Sequence, residues 1–311
     1  MTWIKKGLVY KADGKFGWDA SHSQVPTAIL LSETGFLRIY YSSRNIQNQS
    51  QISFVDVNPA DPSQVVYVHP DPILLPGQPG TFDDCGVMPS WVVYNGDRLY
   101  LYYIGWNVRN TVPYYNSVGL AVSTDGIHFE RFSTGPLWDR DYKEPFFSAS
   151  TCVLLHKNIW KNWYLSCTEY RNVNGLIEPR YHIKYAESAN GIDWMRNGVI
   201  AIDYKSDEEA GIVRASVICD PEIFRMWFSY RNFNNYRTDR NNSYKIGYAE
   251  SNDGIVWNRQ DDLAGIYLSN DGWDSQMQAY PNVIDFQNTR YMFYNGNEFG
   301  KSGFGFAVYK K

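Results

Sequence analysis

The sequence predicts an all-β protein, specifically a five-bladed β-propeller whose blades are four-stranded antiparallel sheets. Three observations predict this fold: a hairpin motif that repeats, a strand pair that recurs five times, and abundant aromatic residues. Phe, Trp and Tyr make up 17% of the 311 residues, and their side chains favour pleated, half-buried surfaces over helices. No long segment shows helical periodicity, which also favours β structure.

The hairpin motif occurs three times in the middle of the chain. The copies read GLAVSTDGIHFER, KYAESANGIDWMR and GYAESNDGIVWNR, at residues 119–131, 184–196 and 247–259. Their turn glycines, Gly126, Gly191 and Gly254, lie 65 and 63 residues apart. Asp-Gly and Asn-Gly are typical of tight hairpin turns, because both turn positions need a positive φ. Each copy therefore predicts the outer hairpin of one blade.

A pair of alternating strands recurs along the whole chain. The five pairs read VPTAILL with FLRIYYSSR, MPSWVVY with RLYLYYIGW, STCVLL with NWYLSCTEYR, ASVI with FRMWFSYR, and YPNVIDF with RYMFYNGN. They show the two-residue period of sheets with one buried side, and four-stranded units repeated around an axis predict a propeller. We expect GLVY (7–10) to join GFGFAVYKK (303–311), so that strands from both ends close a single domain of residues 1–311.

Composition excludes several classes of partner. The chain has 29 Lys and Arg against 33 Asp and Glu, a net charge of −4, whereas nucleic-acid and anionic-membrane proteins usually carry clustered positive charge. The first ten residues lack a signal-peptide pattern, and no apolar run is long enough to span a membrane. We therefore expect a cytoplasmic protein, and the sequence leaves its oligomeric state open.

An acid occurs in each segment that leads into the first strand of a blade. These acids are Asp19, Asp83 or Asp84, Glu144, Glu208 or Glu209, and Asp274. In an up-and-down blade such segments share one face with the connections between strands two and three, so we expect the acids to meet at a central funnel. Neighbouring carboxylates acquire different pKa values, and hydrolysis of a glycosidic bond requires such an acid and base.

Basic and polar residues are expected at the same mouth. Arginines follow the second strands at Arg44, Arg109, Arg171 and Arg231, and a guanidinium suits carboxylates, phosphates or sugar hydroxyls. Alternatively, each arginine pairs with the acid of its own blade and only stabilises the ring. Polar residues that occur in one blade only are His22, Gln24, Glu209, Arg214, Gln276 and Gln278. Tryptophans such as Trp18 are candidates for stacking on a sugar, or else pack between blades.

The repeated S-x-DG-I-x-W/F-x-R hairpins and Y-x-F/Y-Y-x-G strands resemble the five-bladed propeller glycosidase superfamily. That superfamily includes arabinanase/xylosidase, invertase/levansucrase and mannoside phosphorylase-like enzymes, and the chain looks most like an uncharacterised glycosidase-like member. The resemblance implies that Asp19 is the base, that Glu209 is the general acid, and that Asp84 or Glu144 tunes their pKa values. It implies neither a metal ion nor an organic cofactor.

Three functions remain open from the sequence. The leading interpretation is a glycoside hydrolase that uses a carboxylate pair in the funnel on a small-molecule or oligosaccharide substrate. The alternative is an inverting glycoside phosphorylase, in which Arg44, Arg171, Arg214 and Arg231 bind the phosphate. The third is a propeller that binds a glycan or nucleotide sugar without catalysis.

Overall fold

The computed structural model describes residues 2–310, and Met1 and Lys311, the two ends of the predicted domain, lie outside the described residues. In chain order the strands are β1 (Thr2–Tyr10), β2 (Ser21–Leu30), β3 (Leu37–Arg44), β4 (Ser50–Asn58), β5 (Asp61–Val68), β6 (Gly86–Asn95), β7 (Arg98–Val108), β8 (Tyr114–Ser123), β9 (Glu130–Arg131), β10 (Ser148–His156), β11 (Ile159–Val173), β12 (Leu176–Ser188), β13 (Met195–Ile202), β14 (Glu209–Cys219), β15 (Phe224–Asn232), β16 (Lys245–Ser251), β17 (Asn258–Arg259), β18 (Ala279–Phe286), β19 (Thr289–Asn295) and β20 (Phe304–Lys310). Helical structure in this part of the chain is confined to a 3-10 turn at Asp261–Leu263 and one turn, α1, at Asn297–Gly300. The all-β prediction is confirmed.

Neither helical segment of residues 2–310 has the length and apolar character needed to cross a bilayer.

The strands of the described chain form one four-stranded sheet and two eight-stranded sheets. Each eight-stranded sheet divides into two antiparallel groups of four strands, so the groups are β2 to β5, β6 to β9, β10 to β13, β14 to β17, and β18 to β20 together with β1. We call these four-stranded groups sheets one to five. Sheets one and two are joined by a parallel bridge between Ser50 and Gly86, and sheets three and four by one between Tyr181 and Gly211. The three predicted hairpins are confirmed, since β8 pairs with β9, β12 with β13 and β16 with β17.

Both ends of the described chain contribute to sheet five. Strand β1 runs antiparallel to β20, from Thr2 opposite Lys310 to Tyr10 opposite Phe304. The first strands of the sheets also contact one another in order, from β2 through β6, β10, β14 and β18 and back to β2. These inner strands therefore surround a common centre.

Each hairpin docks on the second strand of the preceding sheet. A buried aromatic donor on that strand bonds the carbonyl of the hairpin glycine: Tyr40 Oη to Gly126 O at 2.8 Å, Tyr102 Oη to Gly191 O at 2.6 Å, and Trp163 Nε1 to Gly254 O at 2.8 Å. The turn glycines have φ between 73° and 75°, a region that glycine adopts without a steric penalty. The turn chemistry that the sequence motif predicts thus also holds neighbouring sheets together.

Candidate functional site

A cavity of about 510 Å³ lies among the first strands of all five sheets. Its wall includes Val25 of β2, Met88 of β6, Ala149 of β10, Val213 of β14 and Tyr280 of β18. This volume lies within the range of small-molecule binding sites. The centre of the molecule is therefore the place to look for a ligand site.

Backbone bulges shape this cavity. The first strand of every sheet has at least one irregularity in its register, and a bulge redirects the neighbouring side chains. At four of these irregularities a residue other than glycine has positive φ, namely His22 (66°), Val25 (56°), Arg214 (59°) and Tyr280 (57°), and all four line the cavity. Bulky residues rarely adopt this region, and such strain is concentrated at functional sites.

The charged groups that line the cavity are cations. They are the guanidinium groups of Arg44, Arg214, Arg231 and Arg237, and no Asp or Glu of residues 2–310 belongs to the lining. Arg237 is paired with Glu178. Among the described residues, the other three arginines have no carboxylate within salt-bridge distance. The cavity therefore carries positive charge that the protein itself does not neutralise.

Arg214 is the most deeply buried of these cations, with no exposed surface. Its Nη2 donates to the carbonyl of Pro26 at 3.1 Å and to Thr27 Oγ1 at 2.9 Å, both on β2. Its Nε and Nη1 are buried without a hydrogen-bond partner among the described residues, and its guanidinium carbon lies 5.4 Å from the centre of the Trp91 ring. Burial lowers the pKa of Arg214 to about 9, so the group is still charged at neutral pH.

Arg231 is held by neutral oxygens. Its Nε and Nη2 donate to the hydroxyls of Tyr244 and Tyr181, each at 3.3 Å, and its guanidinium stacks 3.8 Å from the centre of the Tyr236 ring. The Tyr181 and Tyr244 hydroxyls also bond each other. Burial raises the pKa of Tyr244 well above its ordinary value, so this hydroxyl stays neutral.

Arg44, Gln24 and His22 form a third polar group at the cavity. Arg44 Nε donates to Gln24 Oε1 at 3.2 Å, and its Nη1 donates to Asn48 Oδ1 at 2.9 Å. The His22 ring bonds Ser21 Oγ through Nδ1 at 2.8 Å. Burial, followed by the Arg44 charge, lowers the pKa of His22 to about 4. His22 is therefore neutral at physiological pH.

The structure brings five of the sequence-predicted substrate-binding residues to this cavity. They are His22, Gln24, Arg44, Arg214 and Arg231. The other four do not belong to its lining. Trp18 donates from Nε1 to the Pro70 carbonyl, and Arg171 pairs with Glu169 on β11. The substrate-binding role of all nine residues stays a prediction.

Gln276 and Gln278, the other two predicted residues outside the cavity lining, lie close together in the segment before β18. The Gln276 side chain is exposed, whereas Gln278 is buried and donates from Nε2 to Asp274 Oδ2 at 2.9 Å. Gln278 also bonds the Tyr267 carbonyl at 2.8 Å. Its contacts tie the lead-in segment together and leave no free side-chain donor toward the cavity.

In four of the five sheets a lead-in acid is paired with a cation of the same sheet. In sheets two, three and four, the arginine that ends the hairpin motif binds the acid: Arg131 to Asp83 at 2.8 Å, Arg196 to Glu144 at 2.9 Å, and Arg259 to Glu209 at 2.6 Å. The same guanidinium groups bond the carbonyls of Leu75, Asp139 and Asp203, which precede the lead-in acids. We call this repeated arrangement the clasp, because it fastens the connection between consecutive sheets.

Sheets five and one vary the clasp. Lys5 replaces the arginine in sheet five and binds Asp274 at 2.8 Å. In sheet one, Asp19 is fully buried and its Oδ1 accepts the Phe16 amide at 3.0 Å. Its Oδ2 is buried with no partner among residues 2–310.

Asp84 lies beside the clasp acid of sheet two but is not part of the clasp. Its Oδ2 accepts the Gly80 amide at 2.9 Å, and its Oδ1 accepts Asn107 Nδ2 at 2.5 Å. Burial works against ionisation, but these hydrogen bonds outweigh it and lower the pKa of Asp84. The carboxylate is therefore ionised and occupied by its own loop.

The predicted carboxylate well differs from the arrangement in the structure. The four acids predicted to be catalytic are Asp19, Asp84, Glu144 and Glu209, and none lines the cavity. Glu144 and Glu209 are held outside the cavity because each is bound by the arginine that ends a hairpin motif, about 50 residues further along the chain. The signal was present in the sequence as the final Arg of the hairpin motif. The catalytic role of these four acids stays a prediction.

No group of three or more His, Cys, Asp or Glu side chains in residues 2–310 is placed to hold a metal ion. The cavity offers guanidinium, hydroxyl, amide and aromatic groups. Such a donor set suits a ligand rich in hydroxyl and anionic oxygens.

Two curated proteins are similar to the chain over nearly its whole length. They are the uncharacterized protein MT1551 of Mycobacterium tuberculosis strain CDC 1551 / Oshkosh and the uncharacterized protein Rv1502 of strain ATCC 25618 / H37Rv. Each is 36% identical over 308 residues, which cover 99% of this chain and 99% of the relative. No protein-family model matches the chain.

Solved structures with a similar fold include glycoside hydrolases. A glycosyl hydrolase from Bacteroides ovatus has a TM-score of 0.71 at 16% identity, covering 100% of this chain and 94% of its own. BT0996, solved in an RGII complex, has a TM-score of 0.71 at 15% identity, with 98% and 90% covered. A structure from the GH130 family of mannoside phosphorylases and hydrolases has a TM-score of 0.69 at 14% identity, with 99% and 93% covered. The predicted resemblance to the propeller glycosidases is confirmed for the fold.

Proposed function

The chain belongs to the family of Rv1502 of Mycobacterium tuberculosis, and from that premise and its fold we propose that it is a carbohydrate-active protein that binds sugars in the central cavity. The observation that carries the proposal is the cavity itself, which combines aromatic walls with hydroxyl, amide and guanidinium donors. Flat aromatic faces and convergent polar groups are what a sugar ring requires. The solved neighbours that act on carbohydrates support the same assignment.

We also propose that the five sheets are the blades of one closed, single-domain propeller. The pairing of β1 with β20 supports closure, because it places both ends of the described chain in one sheet. The contacts of the first strands, which return from β18 to β2, support a ring of five. A closed ring explains why one cavity receives residues from every sheet.

Hydrolysis is the first enzymatic candidate, and Asp19 is the carboxylate that best supports it. Unlike the clasp acids of sheets two to five, Asp19 has no Lys or Arg partner among the described residues, and its Oδ2 has no hydrogen-bond partner there, although Asp19 does not line the cavity. A general base needs such an unoccupied oxygen. Glu209 remains the proposed general acid, although its pair with Arg259 favours the ionised form.

Phosphorolysis is the second enzymatic candidate. The observation in its favour is the set of cavity arginines without carboxylate partners, since guanidinium groups bind phosphate well. Arg171 does not contribute to this set, because it is paired with Glu169 outside the cavity.

The test is to incubate the protein with a panel of oligosaccharides, with and without inorganic phosphate, and to measure released sugars and sugar phosphates. Release without phosphate identifies a hydrolase, and sugar phosphate formed only with phosphate identifies a phosphorylase. Saturable binding without product identifies a binding protein. If no glycan of the panel binds or reacts, the proposed function is wrong.

Substitution of the two proposed catalytic acids separates catalysis from folding. We expect Asp19→Asn to abolish hydrolysis with little change in melting temperature, because its Oδ2 has no partner to lose. Glu209→Gln should lower the free energy of unfolding by about 2 kcal/mol, because it weakens a charge-assisted pair. Full activity in Asp19→Asn would exclude Asp19 as the base.

A further inference from the structure

We propose that the central cavity recognises an oxyanion, a carboxylate or phosphoryl group, and that Arg44, Arg214 and Arg231 supply the positive charge for it. This inference rests on the proposed function and adds the charge of the ligand. It concerns binding only and involves no covalent step.

Buried arginines outside the cavity are paired with acids. Arg38 forms two bonds with Asp56, at 2.7 and 2.8 Å, and Arg259 forms two with Glu209, at 2.8 and 2.6 Å. A buried charge without a counter-ion is strongly unfavourable, so such pairing is the expected arrangement. The cavity arginines Arg44, Arg214 and Arg231 depart from it.

Arg214 has unused hydrogen-bond donors. This side chain is completely buried, yet two of its three nitrogens, Nε and Nη1, have no acceptor among residues 2–310. Its backbone also has a positive φ of 59°, an unfavourable conformation for a long side chain. A cation placed at this cost beside a cavity indicates that its missing counter-ion is an anionic ligand of that cavity.

The other two arginines, Arg44 and Arg231, line the same cavity. Arg231 is only 2% exposed and its acceptors are the neutral oxygens of tyrosine hydroxyls and backbone carbonyls. Arg44 is partly exposed and bonds only side-chain amide oxygens. No Asp or Glu of the described chain faces either one across the cavity. Their positive charges therefore add at the cavity, and low dielectric surroundings strengthen attraction for an anion.

The hydrogen-bonding geometry of the guanidinium group indicates that the ligand is an oxyanion. The planar fork of arginine donates parallel hydrogen bonds to carboxylate and phosphoryl oxygens. His22, with its pKa near 4, adds no charge at neutral pH. A sugar carboxylate and a phosphoryl group both present the required oxygens, and the experiment distinguishes these two.

The experiment measures thermal stability and binding of the full-length protein at constant ionic strength. The probes are inorganic phosphate, glucuronate and glucose, with chloride as the reference anion. We expect phosphate or glucuronate to raise the melting temperature above its value in chloride, and glucuronate to bind more tightly than glucose. A response to phosphate alone assigns the site to a phosphoryl group, and a response to glucuronate alone assigns it to a sugar carboxylate.

Matched variants test whether Arg214 is responsible. Arg214→Met should weaken oxyanion binding about tenfold or more, since the electrostatic attraction of the cavity for the oxyanion depends on this charge. Without ligand its melting temperature should equal or exceed that of the parent, because an unpaired buried charge is removed. Arg259→Met, which removes a paired buried arginine, should instead lower the melting temperature. Arg98→Gln, a substitution at the exposed first residue of β7, should leave both quantities unchanged.

Different results would contradict the oxyanion inference and the proposed function. The inference is wrong if neither oxyanion acts beyond chloride, or if Arg214→Met binds oxyanions as the parent does. Should Arg214→Met not fold, Arg44→Gln is measured in the same way, and undiminished oxyanion binding there also overturns the inference. Binding of neutral glycans without any oxyanion effect rejects this inference alone, whereas oxyanion binding without any glycan binding rejects the proposed function alone.

Discussion

At the scale of single residues, buried charge divides into two kinds in this protein. The clasp pairs Arg259 with Glu209 and repeats in three sheets, so it is part of the scaffold. Arg214 has no such partner and belongs to the cavity. The distinction between scaffold and site therefore depends on where each countercharge lies, because Arg259, with 9% of its side chain exposed, is almost as buried as Arg214.

His22 gives a prediction of pH dependence at this scale. Burial and the nearby Arg44 and Lys301 lower its pKa from 6.5 to about 4 in the folded protein, while Glu298 opposes them. The unfolded chain therefore takes up a proton first as the pH falls, and stability present above pH 6.5 is lost toward pH 4. Because the ring is only partly buried, solvent screening reduces the effect. Between neutral pH and pH 4.5, we expect the His22→Gln protein to lose about 1–2 kcal/mol less unfolding free energy than the parent protein loses.

The measurement is urea denaturation of parent and His22→Gln proteins between pH 7.5 and 4.5. His128, an exposed histidine, provides the control substitution His128→Gln. Parallel stability curves for parent and His22→Gln would contradict the lowered pKa.

The sequence predicted part of the site at this scale. His22, Gln24 and Arg214 were singled out because they occur in one blade only, and the structure places them at the cavity. The four acids predicted to be catalytic do not line the cavity, and a carboxylate recurs in the lead-in segment of every sheet. Where such a carboxylate has an arginine partner, the partner lies about 50 residues away in sequence, and that pairing depends on the fold.

At the scale of elements, the hairpin motif has two functions in one segment. Its glycine carbonyl accepts a bond from the preceding sheet, and its terminal arginine binds the acid of its own sheet. The sequence predicted the hairpins correctly from their turn residues. It did not predict the bulges in the first strands, because these follow from packing around the centre, which leaves no local signature in residues such as Val25 or Arg214.

Two equivalent tryptophans test the docking of the hairpins. Trp163 on β11 donates to Gly254, whereas Trp227 on β15 has a buried Nε1 with no partner in the described chain. Both are 0% exposed, so replacement by phenylalanine removes similar volume. We expect Trp163→Phe to cost about 1–2 kcal/mol more unfolding free energy than Trp227→Phe, because it leaves the Gly254 carbonyl unpaired. Equal losses in denaturant titrations would show that the bond does not stabilise the interface.

At the scale of the whole molecule, the two ends of the chain meet. Trp3 on β1 is 5% exposed and packs edge-on against Trp227 of sheet four with ring centroids 5.4 Å apart. Its amide also donates to the Gly265 carbonyl at 2.9 Å. The sequence predicted that GLVY (7–10) joins GFGFAVYKK (303–311), and the structure shows this pairing as the β1 and β20 ladder.

Substitutions in β1 test how much this junction contributes to stability. We expect Trp3→Ala to lower the unfolding free energy by about 3–5 kcal/mol, since it leaves a large cavity between two sheets. The adjacent Ile4 is 44% exposed, so Ile4→Ala should cost less than about 1 kcal/mol. Comparable losses in the two variants, measured by thermal denaturation, would mean that the junction is not a specific contact.

Binding of an oxyanion in the cavity at the middle of the five sheets can be tested by direct observation. The most direct measurement is a crystal soaked in selenate, an oxyanion whose selenium atom is located by anomalous scattering. We predict a selenium peak inside the cavity, within hydrogen-bonding reach of the guanidinium group of Arg44 or Arg231. Selenium peaks found only on the outer surface, with the cavity free of the anion, would contradict the proposal.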